Sequence, residues 1–130
     1  MSYDGLVLSL ERLAERDIDP GPDVYARMFA AHPETEPLFV RDVDGAVRGQ
    51  MLQQAIECLL DLAGSRSFGR NLMATEIINH EGVGVPPDVF PQFFVLLRDS
   101  VREALGPDWT GEMDASWQAM LVEVGGVLRR

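Results

Sequence analysis

Two segments carry the residues whose types and spacing could do chemistry. The first runs from Met73 to Phe90 (MATEIINHEGVGVPPDVF). Here His80 stands where an apolar helix gives out, ahead of a Gly/Pro turn and a new aromatic helix. A neutral imidazole in that place could be the axial ligand of a haem iron. It could equally be a favourable charge at a helix C-terminus or a solvated side chain. Met73, Ile77 and His80 fall on one helical stripe, so an apolar face and the imidazole point the same way. For ligation the second ring N–H needs an acceptor to fix the tautomer. Carbonyls of the last helical turn have no intrahelical partner, so one near Glu76 is a candidate, and the Glu76 side chain is another.

The second segment runs from Tyr25 to Phe39 (YARMFAAHPETEPLF). A buried phenol at Tyr25 must find a partner, either a polar ligand in a pocket or a backbone carbonyl in the core. His32, at the boundary forced by Pro33, is expected to be exposed. Between the two segments, Arg48 carries a guanidinium fork suited to a bound anion or a haem propionate. A solvated surface arginine is the competing reading.

Taken together the two segments resemble the globins, and most closely the haem domain of bacterial flavohaemoglobins and the single-domain bacterial haemoglobins. In that family a distal tyrosine opens a stretch like Tyr25 to Phe39. Arg-Met-Phe follows, Pro-Glu opens a short third helix, and a phenylalanine packed on the haem closes it. His80 falls on the proximal histidine, the Pro-x-x-Phe after it matches the entry to the next helix, and Trp117 falls on a recurrent tryptophan of the last helix. The resemblance covers essentially the whole chain and is weakest in the first helix. It implies an all-α globin fold over residues 1–130, a three-on-three helical sandwich with a haem pocket between the distal and proximal helices.

What the resemblance implies for individual residues is specific. His80 is the iron ligand of a b-type haem (iron protoporphyrin IX), and Tyr25 is the distal donor to a bound diatomic. Arg48 falls where globins place a distal histidine or glutamine, and Leu52 on the apolar residue one turn later. Gln50 and Met51 are the alternatives if the preceding loop shifts the register. Phe39, Met73, Ile77, Phe90, Phe94 and Leu97 line the ring, with Arg48 and Leu52 beside them. Phe90 departs from the flavohaemoglobin pattern, which has a tyrosine there paired with a glutamate of the last helix. The chain ends too soon after Trp117 to place that glutamate. Strong electron push onto the iron is therefore not expected.

The elements that must position these residues are helices. Leu6, Leu10 and Leu13 give a first amphipathic helix, with Ser2 or Asp4 as its cap. Asp19-Pro-Gly-Pro22 breaks the chain and starts a second helix, to about Ala31. A short helical segment reaches Phe39, and Val40 to Gly45 is an acidic loop. The next helix runs from about Ala46 to Ala63, where Gly64 ends it. Another starts near Ser67 and ends at His80. Pro86-Pro87 opens a helix carrying Phe90, Phe93, Phe94, Leu97, Val101 and Leu105, stopped by Gly106. Thr110 caps a last helix bearing Met113, Trp117, Met120 or Leu121, and Val124. Periodicity alone does not separate a globin from another helical bundle.

Size and composition narrow the function classes. With 130 residues the chain is one domain with a real core, short for a globin, which predicts trimmed loops and a short last helix. A net charge of −10 without a basic cluster argues against nucleic acid. All eleven basic residues are arginine, as genome codon bias would give. No apolar run approaches the roughly 20 residues of a membrane span. The single cysteine, Cys58, excludes an intrachain disulfide, and with no signal-peptide pattern a cytoplasmic location is expected.

The function expected is reversible binding of dioxygen, nitric oxide or another small ligand at a histidine-ligated haem. Two alternatives stand beside it. One is a nitric oxide dioxygenase served by a separate reductase, since the chain carries no flavin or nicotinamide domain. The other is a haem-free globin fold used as a regulatory or interaction module.

Overall fold

The computed structural model describes residues 3–129. Six α-helices follow one another: α1 (Asp4–Glu15), α2 (Gly21–Ala31), α3 (Ala46–Ala63), α4 (Gly69–Gly82), α5 (Val89–Leu105) and α6 (Gly111–Leu128). Two 3-10 segments, Pro33–Phe39 and Gly106–Asp108, bridge α2 to α3 and α5 to α6. There is no strand among the described residues. The layers are α1, α3 and α4 against α2, α5 and α6. Across them α1 meets α5 and α6, α2 meets α3, and α4 meets α6. This is the all-α sandwich that the sequence predicts.

The stripe Leu6, Leu10, Leu13 explains why α1 docks. All three are buried against the other layer, and each such burial contributes about 1.5–3 kcal/mol. Close approach to α6 is permitted by Gly5, where a Cβ would meet the Glu112 carbonyl at 2.5 Å. Polar groups left in that contact are satisfied in a chain. The Trp117 indole N–H donates to Ser9 Oγ at 2.8 Å, the Ser9 hydroxyl to Leu6 O at 2.6 Å, and Leu6 N to Ser116 Oγ at 2.9 Å. Trp117 is fully buried and anchors the last helix.

Local expectations need four adjustments. The cap position of α1 is Tyr3, which makes no side-chain cap bond, with Asp4 in the first turn, while Ser2 lies outside the described residues. The last helix is not short: α6 spans 18 residues, as many as α3. Helix α4 runs two residues past His80, to Gly82. It also begins at Gly69 rather than near Ser67, because the Asp61 carboxylate takes the backbone N–H groups of Ser67, Phe68 and Gly69 at 3.0, 3.1 and 2.7 Å. Burial alone would raise the Asp61 carboxyl pKa. The bonds from Gly69, Ser67, Phe68 and the Ser65 hydroxyl outweigh it and hold the group well below the usual carboxylate range. Gly69 then presses on α3, where a Cβ would meet the Cys58 carbonyl at 2.8 Å. Thr110 does cap α6, accepting from Met113 N at 3.1 Å. Among the described residues no helix is long and apolar enough to cross a membrane.

Candidate functional site

A narrow cleft with a cavity volume of about 70 Å³ lies where α2, α3, α4 and α5 converge with the first 3-10 segment. Helix α4 contributes Leu72, Met73, Glu76 and His80, and α3 contributes Met51, Gln54, Ala55 and Cys58. Tyr25 and Met28 come from α2, and Phe90, Phe93 and Phe94 from α5. Thr35, Leu38 and Phe39 close it from the 3-10 segment. The walls are largely apolar.

His80 is held from two sides. Its Nδ1 lies 2.7 Å from the Glu76 carbonyl oxygen, one helical turn back. A carbonyl can only accept, so Nδ1 carries a proton, and in the neutral ring the lone pair lies on Nε2. The ring also stacks on Phe90, with centroids 4.8 Å apart and planes 14° from parallel. The Glu76 carboxylate lies 3.7 Å from Nδ1, beyond hydrogen-bonding range. Of the two candidate acceptors that the sequence offered, the backbone carbonyl is the one engaged. Helix α4 ends two residues further on, where the His80 carbonyl accepts Val83 N and Val85 N at 3.1 and 2.9 Å.

On the side of α2 and α3 the arrangement differs from the sequence reading. Tyr25 lines the cleft and is 4% exposed. Its ring packs edge-on against Phe39 and Phe93, both with centroids 5.6 Å away. The hydroxyl donates to the Arg48 carbonyl at 3.0 Å. Burial pushes this phenol's pKa well above its ordinary value, with Arg48 opposing and Asp42 adding to the rise. The one phenolic proton is thus committed to backbone.

Arg48 and Leu52 do not line this cleft. They line a second, larger and more open groove between α2 and α3, with Tyr25 as the wall shared by the two. The Arg48 guanidinium is tied down by Asp42: Nε to Oδ2 at 3.0 Å and Nη2 to the Asp42 carbonyl at 3.0 Å. Asp42 also accepts Val47 N and Arg48 N at 3.0 and 2.9 Å, so it stitches the first turn of α3. Burial would raise its carboxyl pKa, but these bonds prevail and lower it. Ile77 and Leu97 are buried in the core beside the cleft rather than lining it. His32 is half-buried rather than exposed, with Nδ1 3.5 Å from Glu34.

Six of the expected residues therefore meet around one cavity: Tyr25, Phe39, Met73, His80, Phe90 and Phe94. On α3 the cleft takes Met51, an alternative the sequence had offered, while Gln50 is exposed. The sequence reading missed Gln54, Ala55 and Cys58, which follow from Met51 at helical spacing once the helix's rotation is known. The Cys58 thiol is pushed up to about 11 by burial first, and by the carboxylates of Asp61, Glu57 and Glu76. It stays a neutral thiol at physiological pH.

The site is thus one imidazole in an apolar cleft of an all-α sandwich. The family model described as Globin matches residues 22–128. The chain belongs to the globin family, and that membership implies haem-based binding of small ligands in general. No solved structure matches the chain.

Proposed function

We propose that the cleft binds one b-type haem and that the protein holds dioxygen, or another small diatomic, reversibly at its iron. The observation that carries this is the His80 imidazole, its Nδ1 proton locked on the Glu76 carbonyl at 2.7 Å, which leaves Nε2 as the basic nitrogen in an apolar cleft. The donor set fits the group. Nitrogen from a neutral imidazole is a standard haem iron ligand, and Phe39, Met73, Phe90, Phe93 and Phe94 supply apolar wall. Among the described residues the lining holds no arginine to pair with propionates, so the fit rests on those walls and the imidazole. When bound, the haem supplies an iron that takes up diatomic ligands.

This chain's residues do the rest. Glu76 fixes the tautomer through its carbonyl, Phe90 holds the ring plane, and the phenylalanines exclude water. Within the family we place the chain beside the bacterial single-domain haemoglobins and the flavohaemoglobin haem domain, on the strength of Tyr25 to Phe39 and His80 to Phe90. Ligand holding is favoured over oxidative turnover. A backbone carbonyl leaves the imidazole neutral, and Phe90 has no hydroxyl with which to recruit a carboxylate. Nitric oxide dioxygenation would further require electrons from a separate reductase.

Hemin titration of the purified protein tests the proposal. A saturable one-to-one Soret band is expected, abolished or grossly weakened in His80→Ala. A spectrum unchanged by that substitution would refute the assignment.

A further inference from the structure

We infer that the groove between α2 and α3 is a docking site for a basic, amphipathic peptide segment of a partner protein, an inference that stands independently of the haem reading. The groove encloses about 900 Å³, far more than the cleft beside His80. Its floor is apolar, with Leu52 and Ile56 from α3 and Tyr25 and Phe29 from α2. The fold covers Ile56 and Phe29 only in part. At Gly49 the floor is bare backbone, and a Cβ there would meet nothing within 4 Å. A partner's apolar side chain laid in this recess would finish the burial that the fold leaves incomplete.

The rim sets the charge of that partner. Asp19, Glu36, Asp44 and Glu57 line the groove, and among the described residues no arginine pairs with any of them. Elsewhere arginines hold Asp108, Asp23, Glu103, Asp42, Glu123 and Asp99. The groove's own arginine, Arg48, is taken by Asp42 at 3.0 Å. What remains is negative charge that a partner meets with cations. Their placement favours a segment over a compact cation. Asp44 precedes the first turn of α3, and Glu57 lies about three turns along it, so the helix rise separates them by roughly 16 Å. That span suits about three turns of helix, or about five extended residues, with a basic side chain toward each end. The net charge of −10 repels nucleic acid and anionic lipid from the same groove.

The test titrates the purified protein into a fluorescent amphipathic peptide of leucine and lysine, about twelve residues long. Saturable one-to-one binding is expected, weakening as salt rises. Asp44→Asn combined with Glu57→Gln should weaken it about tenfold. Asparagine keeps the side-chain oxygen that accepts Ala46 N at 3.1 Å, so the double variant should fold as wild type does. Gly49→Phe, which fills the floor, should weaken binding as much. In methyl NMR the Ile56 resonance should shift on binding, while that of Ile78, exposed on α4, should not. No saturable binding, or groove variants that bind as wild type does, would overturn the inference. An equal loss in Glu11→Gln combined with Glu15→Gln, on the exposed side of α1, would also overturn it, because net charge alone would then attract the peptide. Displacement of the peptide by arginine methyl ester at equal concentration would do the same, because a compact cation would suffice.

Discussion

Replacing Tyr25 by phenylalanine deletes one oxygen atom and asks whether the phenol belongs to the fold. The ring should stay where it is, because its contacts with Phe29, Phe39 and Phe93 are made by carbon atoms. What disappears is the 3.0 Å bond to the Arg48 carbonyl. A neutral intramolecular hydrogen bond contributes about 1 kcal/mol net, within a range of roughly 0.5–1.5. The Arg48 carbonyl lies in the first turn of α3 and can keep an intrahelical bond on its other lone pair, so no full desolvation penalty is added. Apo Tyr25→Phe should therefore lose about 1 kcal/mol, which for a chain of this size lowers Tm by roughly 4 °C. Urea unfolding followed by far-ultraviolet circular dichroism would show a lower midpoint at an unchanged slope. Tyr25→Ala, which also deletes the packing ring, should cost about 3–5 kcal/mol. An unchanged midpoint in Tyr25→Phe would refute the claim that the hydroxyl is spent on backbone. A changed slope would show that the ring has repacked.

Two further outcomes follow from the geometry. Asp61 has a depressed folded-state pKa, so its stabilisation is complete above the unfolded value of about 3.9 and is lost as pH falls through the lower folded value. Asp61→Asn should be clearly less stable than wild type at pH 7, with the gap closing below about pH 4, and a gap independent of pH would contradict this account of the α3–α4 turn. For His80 the engaged acceptor is the Glu76 backbone, so in the haem-loaded ferrous protein Glu76→Ala should leave the iron–histidine stretch at the low frequency of a neutral imidazole. A high wild-type frequency that drops in the variant would show that the carboxylate, not the carbonyl, tunes the ring.

The helices were legible in the chain because their limits are local. Pro22, Pro33, Gly64, Pro86-Pro87 and Gly106 interrupt backbone hydrogen bonding or release φ wherever they occur, whatever packs around them. The imidazole's anchor is local too, since a histidine in the last turn reaches the carbonyl four residues back with no help from the rest of the fold. The stretches Tyr25 to Phe39 and His80 to Phe90 also announced the family that residues 22–128 now place beyond doubt. Start positions were less legible where a distant side chain intervenes, as when Asp61 takes the N–H groups that would have begun α4 at Ser67.

Only the tertiary structure decided which edge of each apolar stripe looks into the cleft. Helix α3 is apolar over a wide arc, and successive residues are about 100° apart, so a modest rotation exchanges Leu52 for Met51. That rotation is set by Asp42 gripping the Arg48 guanidinium and the first turn, and by the Tyr25 hydroxyl bonding to the Arg48 carbonyl. The same ambiguity applies to Ile77 and Leu97, whose apolar character guarantees burial without saying on which side. Residue type and period determined the helices and the place of the imidazole. The fate of the Tyr25 hydroxyl proton, taken by the Arg48 carbonyl, depended on a distance that no one-dimensional pattern contains.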